Sequence, residues 1–342
     1  MRVAAIENGL EGWDEFVQSH PDAHSYHRFG WKEVITRTFG HPCYYLAAID
    51  DRGKYQGILP LAHMRSRIFG NFLVSLPYVN YGGLLCRSDA AAAALLEDAE
   101  RLRRSCGAQY VELRHVEALH SGLPTRSHKV SMVLALAQAD SEQWNVFPPK
   151  LRNHIRKSQK CGCQFKYGHL ELLDDFYEIF ARNMRDLGTP VYPKSFFRHV
   201  LEAFPESTSM LSVSHEGRPI AAGLASWFRQ HVEVPWASSI RGFNQLCPNH
   251  MLYWEAIRLA IERGFSKFDF GRSTPNGGTY NFKKQWGALP IGLHWQYLMN
   301  DKGQIPDLSP ANPRYRMAVR AWQHLPVSIA KILGPWIVRN IP

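Results

Sequence analysis

One pattern occurs twice along the chain, and this repetition limits the architecture more than any other feature. "YYLAAIDDRGKYQGILPLA", from Tyr44, and "SMLSVSHEGRPIAAGLASW", from Ser209, each join two apolar runs through a polar turn carrying a glycine, Gly53 or Gly217. Both read as β-hairpins. "AAAALLEDAERLRRSCGAQYVELRH" and "HMLYWEAIRLAIERGFSKFDFGR" each space apolar residues for a helix, stop at a glycine, and enter a short strand. Gly53 and Gly217 lie 164 residues apart, and Gly107 and Gly264 lie 157 apart. Ser88 or Asp89 is placed to cap the first helix and Asn249 the second.

Helical sequence precedes each hairpin: "GWKEVITRTFG" in one half, "LDDFYEIFARNMRDLG" in the other. "SHKVSMVLAL" and "GLHWQYLMN" read as strands that close the halves. Each half is therefore helix, hairpin, helix, strand, strand. The expected fold class is α/β of the α+β kind, with two tandem domains on mixed, largely antiparallel sheets. The expected boundaries are 1–145 and 146–305, joined near "NVFPPKLRNHIRKSQKCG", with a tail over 306–342.

The 342 residues are enough for two such domains. Forty Lys and Arg stand against 30 Asp and Glu, for a net charge of +10. That excess suits an anionic partner without choosing among nucleotide, tRNA, acidic polymer and headgroup. The N-terminus lacks an apolar signal core, and no run approaches the roughly 18 apolar residues of a spanning helix. A cytoplasmic location is expected. The six cysteines are scattered, which predicts reduced structural thiols, and the 16 histidines show no metal-ligand spacing, so no metal is expected.

Two motifs carry a resemblance. "KLRNHIRKSQKCG" opens the second copy, and "YNFKKQWGA" lies near its end. With the repeated order of elements, they resemble the tandem acyltransferase-like (GNAT-like) domains of the FemAB family. "NMRDLGTPVYPKSFF", "FDFGRSTPNGGTYNFKKQWGA" and the tail "GPWIVRNIP" look more closely like the FemAB-related proteins associated with the PEP-CTERM/exosortase system. The departures are Ser158 where the family has Ala, Trp286 at the last aromatic of its F-K-x-x-F-G motif, and "SLPYVNYGGLL" without the family's Gly-Pro. The resemblance implies an N-acyltransferase acting on a cell-envelope (peptidoglycan-type) or exopolysaccharide precursor, nucleotide- or lipid-linked, alongside exopolysaccharide synthesis proteins.

By the same resemblance the active-centre lysine is Lys283. A fixed cation stabilises the oxyanion of acyl transfer, which suits that role; a solvated lysine pair beside core aromatics is the alternative. Asp269 ends an apolar strand, and its counterpart in the first copy is Glu112. Asp269 either accepts the amine proton as general base or anchors a turn and pairs with Arg272. Tyr280 is a candidate donor or stacking residue. Residues 150–166 carry six positive charges and no negative one. Resemblance places Arg152, with Lys150 behind it, on substrate phosphate, which guanidinium binds through paired hydrogen bonds. Arg156 and Lys157 face phosphate or tRNA backbone, or simply solvent. Thr189 and Tyr192, in the loop after a helix, are acceptor-site candidates, or no more than a helix-ending turn.

No tightly bound cofactor is expected. The donor stays open between acyl-CoA and aminoacyl-tRNA. "IRGFNQLCPNHMLYWEAI" lacks the glycine pattern that holds a CoA pyrophosphate, and the helical arm of many tRNA-using relatives is not visible. The tail, basic and free of acids from Asn312 onward, either packs on the second domain or lies on an anionic membrane. The rival to an enzyme is a non-catalytic protein that holds an anionic polysaccharide or RNA in the same basic site.

Overall fold

The computed structural model describes residues 1–7, 9–118, 122–299, 305 and 316–341. The first repeat runs β1 (Arg2–Ala5), α1 (Leu10–Ser19), α2 (Gly30–Phe39), β2 (Cys43–Ile49), β3 (Tyr55–Ser66), β4 (Gly70–Val74), β5 (Leu85–Cys86), α3 (Asp89–Ser105), β6 (Tyr110–His115) and β7 (Thr125–Ala135). The second runs α4 (Asp140–Val146), α5 (Pro149–Lys160), β8 (Gln164–Gly168), α6 (Leu173–Leu187), α7 (Lys194–Ala203), β9 (Thr208–His215), β10 (Arg218–Phe228), β11 (His231–Ser239), α8 (Pro248–Glu262), β12 (Lys267–Ser273), α9 (Gly278–Lys284) and β13 (Leu289–Met299). Helices α10 (Arg316–Gln323) and α11 (Val327–Val338) follow.

The chain forms two compact units: Met1–His128 with Gly292–Ser309 and Arg339–Pro342, and Lys129–Ile291 with Pro310–Val338. Their sheets follow one plan. In the first unit β1, β2, β3 and β4 pair antiparallel in turn, β4 pairs β6 in parallel, and β13 lies antiparallel on β6. In the second, β8, β9, β10 and β11 pair antiparallel, β11 pairs β12 in parallel, and β7 lies antiparallel on β12. The fold class is thus the mixed α/β plan expected, used twice.

The closing strands differ from expectation. β7, last in the first repeat, completes the second unit's sheet, and β13, last in the second repeat, completes the first unit's. The linear boundaries at 145 and 305 therefore do not coincide with the compact units. Backbone hydrogen bonding explains the trade: the outer edges of β6 and β12 need a partner, and either copy's closing strand offers one.

Local signals behave alike in both copies. Gly107 (φ 59°) and Gly264 (φ 77°) end α3 and α8 in the left-handed region. The next residues, Ala108 and Phe265, donate back to the carbonyls of Arg103 and Ala260. Ser88 caps α3, its Oγ accepting from the Ala91 amide at 3.3 Å. Asn249 does not cap α8. That place belongs to Cys247, at φ 57°, because Pro248 opens the helix and Asn249 lies inside it, donating to Ser239 Oγ at 2.8 Å.

In the second unit, α6 and α8 both pack on β9, β10 and β11, from opposite faces. The α8 layer, with α5, buries Leu151, Ile155, Leu252, Ile257, Phe268 and Trp286. The α6 layer buries Phe176, Phe180, Phe196 and Phe197, the last two edge-on to Trp236. Helices α10 and α11 pack on α6. Residues 306–315 of the expected tail, with Arg314, lie outside the described residues, as does the side chain of Arg316.

Candidate active site

The parallel ladder between β11 and β12 is short. His231 pairs Lys267, Val232 pairs Phe268, Glu233 pairs Asp269, and the pairing ends there. Both strands then bulge. Pro235 in β11 has no N–H to give, and the register against β10 shifts between Leu224 and Ser226. Register between β12 and β7 shifts between Asp269 and Arg272, with Gly271 in the left-handed region at φ 76°. Glycine takes that conformation without the clash a Cβ would bring. The carbonyls of Gly271, within the bulge, and of Arg272, beside it, accept from a side chain.

Lys283 fills the gap. The sequence "TPNG" makes a turn with Pro275 leading and Asn276 at φ 62°, and α9 then begins. The solvated lysine pair of the alternative reading is not what forms: the segment is this turn and helix. Lys284 faces solvent, while Lys283 is buried. Its Nζ donates to the Gly271 carbonyl at 2.8 Å and the Arg272 carbonyl at 3.1 Å. Burial pulls its pKa down to about 8, against the opposing pull of Asp269 and Glu233 and with a smaller push from Arg272. At neutral pH the amine is still mostly a cation. An ammonium has three donors, and two are used here.

Asp269 is almost wholly buried. Its carboxylate accepts from Ser131 Oγ at 2.7 and 2.5 Å and from the Gly271 amide at 2.7 Å, while His231 Nε2 lies 3.9 Å away. These bonds tie Asp269 to the bulge. Lys129 donates to Thr274 Oγ1 at 2.7 Å, and burial together with nearby Arg272 lowers its pKa. Three cations, Lys129, Arg272 and Lys283, thus gather where β11 and β12 part, and Lys283 feels the two buried acids Asp269 and Glu233.

Helix α5 reaches this place through aromatic contacts. His154 packs at a tilt against His250 with ring centres 4.6 Å apart, and His250 lies 5.2 Å from Phe282 of α9. Burial holds the His250 pKa down to about 4, so it is a neutral ring at pH 7. Arg152 is half-buried, and its Nε is buried without a hydrogen-bond partner among the described residues. Lys150 is exposed; Arg156 is exposed and lies over the Trp144 ring at 5.2 Å. Tyr280 packs half-buried against the α8 core.

Thr189 and Tyr192 fall elsewhere. They follow α6, on the other face of the sheet. The Thr189 amide closes that helix on the Met184 carbonyl, and the Tyr192 ring packs against Phe180, Phe196 and Phe197. The structure joins Lys283, Asp269 and Arg272, links them to the Arg152 helix, and leaves Thr189 and Tyr192 apart. Ser131, Lys129, His231 and Glu233 escaped the sequence reading. A polar residue inside each of the apolar runs "SMVLAL" and "HVEVPW" was the available signal.

The first unit holds the same position in another state. The β4–β6 ladder ends at Val74 opposite Glu112, as the β11–β12 ladder ends at Asp269. Glu112 accepts from Arg114 Nε at 2.8 Å and from Tyr297 Oη of β13 at 3.1 Å. Arg114 stands two residues after the acid, where the second unit has Gly271, and lies 4.4 Å over Trp295. A guanidinium closes this copy.

Residues 149–284, from the start of α5 to the last residue of α9, match the family described as an acetyltransferase (GNAT) domain. FemX has a similar structure, 16% identical, with a TM-score of 0.64 over 86% of this chain and 97% of that one. A tandem GNAT protein from the clavulanic acid biosynthesis pathway is 11% identical, with a TM-score of 0.56 over 89% and 99%. The C-terminal domain of a putative lysylphosphatidylglycerol synthetase from Agrobacterium fabrum is 10% identical, with a TM-score of 0.54 over 85% and 91%. At these identities the likeness is one of fold. A search of curated proteins gives no match.

Proposed function

We propose that the second unit is an N-acyltransferase that moves an acyl group from an activated donor to an amine on a phosphate-bearing acceptor. The observation that carries this reading is Lys283: a buried cation, clamped by two carbonyls of a bulged strand, at the point where two parallel strands separate. The neutral amine attacks the donor carbonyl carbon, a tetrahedral oxyanion forms, and the carbon–sulfur or carbon–oxygen bond breaks. The proton lost by the amine ends on the departing thiolate or alkoxide. Lys283 offers its remaining N–H and its charge to the oxyanion. Asp269 has its oxygens engaged by Ser131 and Gly271, so its role is to hold the bulge and balance the cations, in preference to the base role expected from sequence. Arg152, with its open Nε, takes an acceptor phosphate.

The family match favours an acyl thioester such as acyl-CoA. The motif resemblance to the FemAB family keeps an aminoacyl-tRNA ester, and an envelope or exopolysaccharide acceptor, in view. Native mass spectrometry with acyl-CoAs and charged tRNA, followed by a transfer assay on amino-sugar nucleotides, tests the reading. A stoichiometric donor complex and product formation lost in Lys283→Ala support it. Salt-sensitive polyanion binding with no donor complex would move the protein to the non-catalytic reading.

A further inference from the structure

Helix α11 has two apolar faces. One is a seam of small and β-branched residues, Ala330, Gly334 and Val338, buried in the second unit. A Cβ on Gly334 would stand 2.6 Å from the Val191 backbone, so the helix sits hard against the segment after α6. Lys331 pairs with Glu178 of α6. Arg185 Nη1 donates to the Leu325 carbonyl at 2.7 Å and Gln323 Nε2 to the Asp186 carbonyl at 3.3 Å. Helices α10 and α11 are therefore seated firmly on α6, with little freedom to fold the other face of α11 inward.

That other face is apolar too. Ile329, Ile332, Leu333, Trp336 and Ile337 recur at helical spacing, and all are exposed, Ile332 at 66% and Trp336 at 70%. At about 100° per residue they span an arc of about 140°. With Met317 of α10 they make six of the fourteen exposed large apolar side chains among the described residues. A stripe of this kind on a fixed helix marks an interaction surface.

We infer that this face docks on an anionic lipid bilayer, with α11 lying in the plane of the headgroups. Charge selects this occupant. From Asn312 to Pro342 the sequence has five basic residues and no Asp or Glu. The acids of neighbouring α6 are already engaged: Asp174 by Lys194, Asp175 by Lys166, Glu178 by Lys331 and Asp186 by Arg185. A second copy of this chain would set the same basic tail against itself, whereas an anionic headgroup layer complements it. Tryptophan and branched aliphatic side chains on one face of a helix in a basic tail fit the boundary between headgroups and acyl chains. No helix among the described residues is long and apolar enough to cross a membrane, so the contact is one of the surface.

The test uses the full chain, free phosphatidylcholine vesicles, and vesicles containing about one third phosphatidylglycerol. Co-sedimentation with the anionic vesicles, weakened by salt and accompanied by a blue shift of tryptophan emission, is expected. The double variant Ile332→Glu/Trp336→Glu should lose at least about tenfold in vesicle binding with its circular dichroism and melting temperature unchanged, because both side chains face solvent. Arg320→Glu should weaken binding to anionic vesicles alone. Failure of the wild-type chain to bind anionic vesicles overturns the inference, as does equal binding by the double variant. A concentration-dependent dimer that the double variant abolishes, with no vesicle binding, would assign the face to a second copy.

Discussion

Ser131 donates its hydroxyl to the buried carboxylate of Asp269 from a strand that, by sequence, belongs to the other repeat. Tyr297 does the same for Glu112 in the opposite direction. In each unit the acid that ends the parallel ladder takes a hydroxyl from the exchanged strand. Ser131→Ala removes the donor and leaves a buried carboxylate short of one bond. The expected cost is about 1–3 kcal/mol of stability, with slower transfer. Urea denaturation and steady-state assays on the same preparation check both, and an unchanged midpoint would remove this bond from the account.

Lys283→Ala should lower kcat by about a hundredfold to a thousandfold, the scale of losing one oxyanion donor. Lys283→Arg should not restore it, since a planar guanidinium cannot occupy the space between the Gly271 and Arg272 carbonyls. Circular dichroism separates loss of chemistry from loss of fold. A Lys283→Ala enzyme that turns over at the wild-type rate would end the proposal.

The lowered pKa of Lys283 gives two trends of opposite sign. As pH rises through about 8 in the folded protein, the amine loses its charge, and the rate component that depends on a cation should fall. Stability should move the other way. In the unfolded chain this lysine titrates near the usual 10.5, so between about 8 and 10.5 the unfolded state binds more protons than the folded one, and this residue's contribution to stability rises with pH. Denaturant midpoints across that range, compared between wild type and Lys283→Met, isolate the contribution. A wild-type curve parallel to that of the variant would contradict the shift.

Arg152→Ala should raise KM for a phosphate-bearing acceptor about tenfold or more while kcat changes little, and it should reduce the salt dependence of KM. Lys150→Ala and Arg156→Ala, at exposed positions, should each change KM less. Initial rates at several salt concentrations settle the ranking.

Glu112→Gln in the first unit leaves Arg114 buried without its anion, at an expected cost of about 3–5 kcal/mol. KM and kcat of the protein that remains folded should be unaltered, because this pair closes its own copy. A change in KM at constant stability would show that the first unit binds substrate.

Much of this architecture is legible in the sequence because it rests on local physics. The turn glycines Gly53 and Gly217 and the C-terminal glycines Gly107 and Gly264 mark the repeat, since each sits where φ is positive. Lys283 and Arg152 are both singled out by the resemblance of their motifs, Arg152 within a run of bases. The exchange of β7 and β13 was not legible. An apolar strand carries no mark of which of two equivalent edges it will pair, and the choice is made by contacts far away in sequence. Ser131, Glu233 and His231 were missed for the same reason: their meaning arises only once β7, β11 and β12 lie side by side. Asn249 shows a local rule overruled by its neighbour, where Pro248 fixes the start of the helix two residues too early for an asparagine cap.

The strand exchange also bears on how such a chain changes over generations. A duplicated half whose carboxylate is sealed by Arg114 would ordinarily be free to decay or be deleted. Here it lends β7, and with it Ser131, to the half that holds the candidate site, and it borrows β13 in return. Neither copy can be lost without unpairing a strand in the other. Selection on the site proposed in the second unit would therefore preserve both.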